Sequence, residues 1–167
     1  RSVSSTRRGS NVMEQRVLIL APFGRDADVI AEVLHKDQRL CVPCRDADAL
    51  TEALDAGAGS ALIAEEALAG EHATRLFRWL EQQPAWSDFP FILLAATRVG
   101  HRSARGIEVL ERLGNVVVLE RPLNSETLRR AAASALRARA RQYESRRHLA
   151  ERIEAQEALV QLNDSLE

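Results

Sequence analysis

The sequence predicts an α/β fold, a doubly wound five-stranded parallel sheet with an extended helix at its carboxyl end. Three observations carry that prediction. Short apolar runs alternate five times with stretches of helical periodicity. The segments joining them leave room only for crossover connections, which are right-handed between parallel strands. Neither Gly nor Pro occurs between Leu123 and Glu167, so one long helix closes the chain.

Taken in order, residues 16–22 (Arg-Val-Leu-Ile-Leu-Ala-Pro) form an apolar run stopped by Pro22 and Gly24, as in a strand buried on both faces. Over 25–36, Ile30, Val33 and Leu34 recur at helical spacing, with Glu32 and Lys36 turned outward. Residues 40–44 make a second short strand. Ala49, Leu50, Ala53 and Leu54 mark the next helix, and Gly57 supplies its C-cap. The third strand spans 61–64. Leu76, Phe77 and Leu80 mark a helix terminated by Gln83-Pro84. Residues 91–95 are the fourth strand, and Ile107, Leu110 and Leu113 mark a fourth helix closed by Gly114. Residues 116–119 are the fifth strand, running into Arg121-Pro122. Ser125 is placed to N-cap the last helix, with Glu126 favourable to its dipole.

A chain of 167 residues accommodates one domain and an appendage. Hydrophobic residues make up 46%, ample for a core, yet only 4% are aromatic, so Leu, Val, Ile and Ala must fill it. A net charge of −1 argues against a basic nucleic-acid-binding domain. No apolar run approaches the ~20 residues of a bilayer span, and no signal-peptide pattern is present. The expected compartment is the cytoplasm, in keeping with two cysteines, too few for a disulfide framework. Three segments follow from this reading. Residues 1–15 are a Ser- and Arg-rich leader or tag remnant, with Met13 as native start. Residues 16–136 are the α/β domain, and 137–167 the helical extension.

At 1.5 Å per residue the last helix runs roughly 65 Å, far beyond what the sheet can cover. Leu128, Ala132, Ala135 and Leu136 suit packing on the sheet. Further on, Leu149, Ile153, Gln156 and Val160 follow 4-3-4 spacing, while Leu159, Leu162 and Leu166 follow 3-4 spacing in a shifted frame. With Tyr143, Leu149, Ile153, Val160 and Leu162 as its apolar residues, the extension is expected to form a parallel two-stranded coiled coil, making the chain a homodimer.

The stretch 60–70 (Ser-Ala-Leu-Ile-Ala-Glu-Glu-Ala-Leu-Ala-Gly) sets Glu65 and Glu66 at the carboxyl end of strand three, where open α/β sheets place functional crevices. With Glu120-Arg121-Pro122 ending strand five, this order resembles the receiver domains of response regulators over about 16–136. The resemblance implies a flavodoxin-like (βα)5 fold. In that family strand one ends in an acidic pair that binds magnesium and strand three in a phosphorylated Asp. Strand four ends in Ser or Thr, and strand five in Lys before a cis proline. Counted from Gly70, Glu65 falls on the phosphoacceptor position. Ala21 and Pro22 stand where the acidic pair would be, Ala95 (or Thr97, if the register slips) at the Ser/Thr position, and Arg121 in place of Lys.

Neither Ala21 nor Pro22 can ligate a hard cation. Phosphoryl transfer to a carboxylate needs such a cation and a nucleophile of the right reach, and Glu65 is one methylene too long. The chain therefore looks like a pseudo-receiver without a metal site or cofactor. Glu65 and Arg121 are expected to pair across the crevice, with Asp26 and Asp28 serving the dipole of the first helix. The strings Pro84-Ala-Trp-Ser-Asp-Phe-Pro90, Glu-Arg-Pro at 120–122 and Leu-Arg-Ala-Arg-Ala-Arg-Gln-Tyr at 136–143 resemble the degenerate receiver-like module at the amino terminus of some bacterial sensor histidine kinases. That implies a regulatory and dimerisation module, not itself an enzyme. The last helix would lead to kinase domains of the same chain, and another two-component protein would be a further partner. The alternatives are an atypical phosphoacceptor using Glu66, Asp88 or Glu65, and a stand-alone α/β adaptor.

Other signals are weaker. Cys41-Val-Pro-Cys44 has the spacing of a redox pair, but alternation along a strand sends the two thiols to opposite faces. His35, His72, His101 and His148 lack zinc-site spacing, and His148 lacks the acidic neighbour of a kinase phosphohistidine. The arginines at 129, 130, 137, 139, 141, 146 and 147 read as a solvated face paired with Glu144, Glu151 and Glu154, with nucleic acid an unlikely partner. Trp79 and Trp86 read as packing residues, and residues 100–106 lack the pattern of a phosphate loop.

Overall fold

Buried parallel strands read as unbroken apolar runs because helices cover both of their faces, and the computed structural model, which describes residues 12–96 and 102–166, has this form. In chain order the elements are β1 (Val17–Leu20), α1 (Asp26–His35), β2 (Cys41–Pro43), α2 (Ala47–Ala56), β3 (Ser60–Ala64), α3 (Thr74–Glu81), β4 (Phe91–Leu94), α4 (Ala104–Leu113), β5 (Val116–Leu119) and α5 (Ser125–Ser165). Two short 3₁₀ turns, Glu65–Leu68 and Gly70–Ala73, lie between β3 and α3. The strand order is β2-β1-β3-β4-β5 and every pairing is parallel. The winding reverses between β1 and β3, which opens a crevice at their carboxyl ends.

Alternation divides the core in two. Leu18, Leu20 and Ile63 face α2, α3 and α4, packing with Leu50, Leu76 and Phe89. Val17, Ile19 and Leu62 face α1 and α5, packing with Ile30, Leu34 and Leu128. Cys44 falls in the first layer and Cys41 lies against the second, so the two thiols are apart and free. Burial raises the pKa of both above the ordinary thiol value.

Some local expectations shift. Val109, not Ile107, joins Leu113 in the core, and Ser103 caps α4 by accepting from the Gly106 N–H. Asn124, not Ser125, caps α5, its Oδ1 accepting from the Thr127 N–H at 3.0 Å. Gly70 adopts φ +75°, a conformation that favours glycine, where the second 3₁₀ turn begins.

The larger correction concerns α5. Leu128 and Ala132 are buried on the sheet as expected, but docking continues well past residue 136. Tyr143 is only 4% exposed. Its hydroxyl donates to the Ala58 carbonyl at 2.8 Å and accepts from the Ala58 N–H at 3.4 Å, so it faces its own domain rather than a second helix. Arg139 is buried against the rings of Trp86, Phe89 and Tyr143, its guanidinium 4.5–5.0 Å from their centroids. Arg146 stacks on Trp86 and Tyr143 and forms an ion pair with Glu14. The boundaries at 136 and at 15 therefore both move, since residue 14 and the helix down to Arg146 belong to the body. The arginine run is likewise tied largely to that body, with Arg129 on Asp37, although Arg130 pairs with Glu126 along the helix. Leu149, Ile153, Val160 and Leu162 are about half exposed or more. Among the described residues, no helix is long and apolar enough to cross a membrane.

Candidate functional site at the carboxyl edge of the sheet

The carboxyl ends of β1, β3, β4 and β5 bring together Ala21, Pro22, Glu65, Ala95 and Arg121, the five positions marked in the sequence. Ala21 is buried and Pro22 exposed, and neither side chain carries an oxygen. Glu65 leaves β3 at the start of the first 3₁₀ turn. Its carboxylate accepts from the Ala96 N–H at 2.8 Å and from Arg102 at 3.0 Å. Arg121 follows β5, in a cis peptide bond with Pro122. Its guanidinium grips both oxygens of Glu66, reaches Asp26 at 3.1 Å and donates to the Ala95 carbonyl at 3.3 Å.

The expected Glu65–Arg121 pair is thus replaced by two separate clusters. The turn that begins at Glu65 sends consecutive carboxylates in different directions, so that Glu66, not Glu65, meets Arg121. Asp26, read as a dipole partner, adds a second acid to the same guanidinium. Arg102, on the segment entering α4, takes Glu65. The two clusters meet on one peptide unit, whose carbonyl (Ala95) is held by Arg121 and whose N–H (Ala96) is held by Glu65. Signals for these partners were thin. Arg102 stands between two glycines in a stretch without apolar periodicity of its own, and a helix-terminal Asp has a sufficient local explanation.

Charge follows geometry. Burial by itself would raise the Glu66 carboxyl, but the Arg121 hydrogen bond and charge outweigh it, and its pKa lies below the ordinary glutamate value. The Arg121 pKa moves up, first through its hydrogen bond to Glu66. The bidentate grip is the strong form of such a pair.

The magnesium implied by the receiver resemblance does not fit these residues. The end of β1 offers no side-chain oxygen, and Asp26 and Glu66, the acids nearest to that role, are both engaged by a guanidinium that occupies the place of a cation between them. Among the described residues, no three of His, Cys, Asp and Glu are grouped as a metal ion would require. Asp88, considered as an alternative acceptor, sits at the opposite end of the sheet, its backbone bonded to Gln142. Thr97 and His101 lie outside the described residues.

No protein-family model matches the chain, and no curated protein sequence does. Solved structures do. A CheY-like response-regulator receiver domain protein from Methanospirillum hungatei superposes with a TM-score of 0.60 at 15% identity, over 77% of this chain and 98% of that one. The signal receiver domain of a histidine kinase from Syntrophus aciditrophicus gives 0.59 at 17%, over 74% and 91%. NtrX from Brucella abortus, in complex with ADP, gives 0.60 at 16%, covering 78% of this chain but only 28% of NtrX, so this chain spans under a third of that protein. At such identities the likeness is one of fold. The chain has the flavodoxin-like fold of response-regulator receiver domains, with a long helix added at its carboxyl end.

Proposed function

We propose that the chain is a receiver-fold module that takes no phosphoryl group and that regulates and dimerises a two-component sensor histidine kinase, its signal leaving through α5. The observation that carries this reading is that arginines of the chain itself hold the acids of the receiver edge. Asp26 and Glu66 are tied to Arg121, and Glu65 to Arg102 and a backbone N–H. A carboxylate nucleophile must be free to approach phosphorus, with a cation to offset the charge of the transferring group. Here the carboxylates are engaged and the fixed cation is a guanidinium. The receiver of the Syntrophus kinase supports the placement of such a fold within a histidine kinase, and α5 has the length of a connector.

Incubation of the chain with a small phosphodonor and magnesium, read by intact mass, tests the first half of the proposal. An unchanged mass is expected, and a stable phosphoryl adduct would overturn it. The reading frame past Glu167 tests the second half. Kinase segments are expected there, and a stop codon would leave a stand-alone adaptor instead.

A further inference from the structure

We infer that a second copy of this chain covers one stripe of the free half of α5, parallel and in register, with Leu149, Ile153, Gln156 and Val160 as the seam. This rests on the dimerisation reading above and adds to the expected parallel two-stranded coil a register, a charge pairing and an upper limit.

The upper half of α5 already obeys the rhythm of such a seam. Leu128, Ala132, Ala135, Arg139, Gln142 and Arg146 follow an unbroken alternation of four and three residues. All of them are spent on the chain's own body, from the sheet to the Asp88 backbone and Glu14. The alternation continues without a break into Leu149, Ile153, Gln156 and Val160, where the body has ended and the three apolar side chains stand 50%, 48% and 55% exposed. An unsupercoiled helix drifts about 20° per heptad against this rhythm, so from Leu128 to Leu149 the stripe turns roughly 60° off the body, toward open space beside it. The same continuity sets the limit. Arg139, Gln142 and Arg146 are polar and engaged, so a second helix cannot zip upward past Arg146.

Residue types then choose the occupant. In heptad terms Ile153 and Val160 fall at a, and Leu149 and Gln156 at d. β-Branched residues at a with leucine at d favour two parallel strands. Arg152 falls at g and Glu157 at e, and in a parallel pair g faces the e position of the following heptad on the partner helix. Arg152 of each copy then meets Glu157 of the other. An antiparallel pair sets e against e, which would face Glu157 with Glu157 or Asp164, and sets g against g, with no attraction gained. Gln156 meets its own counterpart only when the two copies are in register. Leu162, expected at the seam, lies outside this frame and follows the shifted one with Leu159 and Leu166.

The full chain serves for the test. Sedimentation equilibrium across a concentration series should return the mass of two chains at the upper end. Oxidised Ile153→Cys should give a disulfide-linked dimer, while Ala155→Cys on the outer side of the helix should not. Arg152→Glu and Glu157→Arg should each weaken association about three- to tenfold, since each removes two symmetry-related pairs, and the double exchange should restore it. A dimer that fails to cross-link at 153, or is not restored by the exchange, would overturn the parallel seam and leave dimerisation standing. A mass of three chains would overturn the strand number. A monomer throughout would overturn the seam and the dimerisation reading together.

Discussion

Glu65 and Glu66 are neighbours in the chain with different partners, and that difference decides how the edge behaves. Glu66 binds a proton less readily folded than unfolded, because Arg121 favours its charged form. Unfolding therefore takes up a proton as the pH falls. The stability this group contributes is complete above its ordinary pKa, near 4.5, and is lost as the pH drops below that value. Arg121→Ala should flatten this acid-side loss in urea titrations at successive pH values. At neutral pH it should cost about 0.5–1.5 kcal/mol, a modest figure because Glu66 is 38% exposed and screened by water. Glu65→Ala frees both the Ala96 N–H and Arg102, and should lower the unfolding free energy by about 1–2 kcal/mol. The position of these acids was legible in the chain, since an apolar run ending in Glu-Glu and a glycine after it mark a strand end and its loop. Their partners were not legible, because the reach of an arginine side chain and the course of a turn decide which acid is met.

At the scale of one element, α5 divides at Arg146. Its upper half is held by groups that read as surface or interface in the sequence. Tyr143 has the character of a coiled-coil residue, and Arg139 that of a solvated one. Their burial depends on Trp86 and Phe89, which the loop before β4 brings beneath the helix, and nothing in the helix's own periodicity reports that loop. Loss of the phenolic hydroxyl in Tyr143→Phe leaves the buried Ala58 peptide without its partner. An expected cost of about 1–2 kcal/mol should appear as a lower urea midpoint with an unchanged slope. Arg139→Ala should cost more, about 2–3 kcal/mol, since packing against three rings is lost together with the charge–ring attraction. Burial already draws the Arg139 pKa below its ordinary value, so the rings hold a cation that water no longer supports.

Across the whole molecule, the alternation of apolar runs and helical stretches was enough to derive five parallel strands, their order of appearance and the layers that cover them. What it left open was how tightly the last helix and the backbone at Glu14 close over the amino ends of the strands. Gly59 records that closeness. A Cβ there would lie 2.8 Å from the Glu14 carbonyl and would press on Leu136. Gly59→Ala should therefore destabilise the fold by about 1–3 kcal/mol, and hydrogen exchange should quicken in the docked half of α5 more than in α1. The contact between Tyr143 and Ala58 has a mechanical meaning as well. At 1.5 Å per residue, about 27 Å of helix lies between Ser125 and Tyr143, and about 33 Å between Tyr143 and Ser165. The first arm is held to the body along its length, from Leu128 to Arg146, and the second stands free of it. Under the proposed role, a shift of the docked arm would be carried into the free arm without any chemistry at the carboxyl edge.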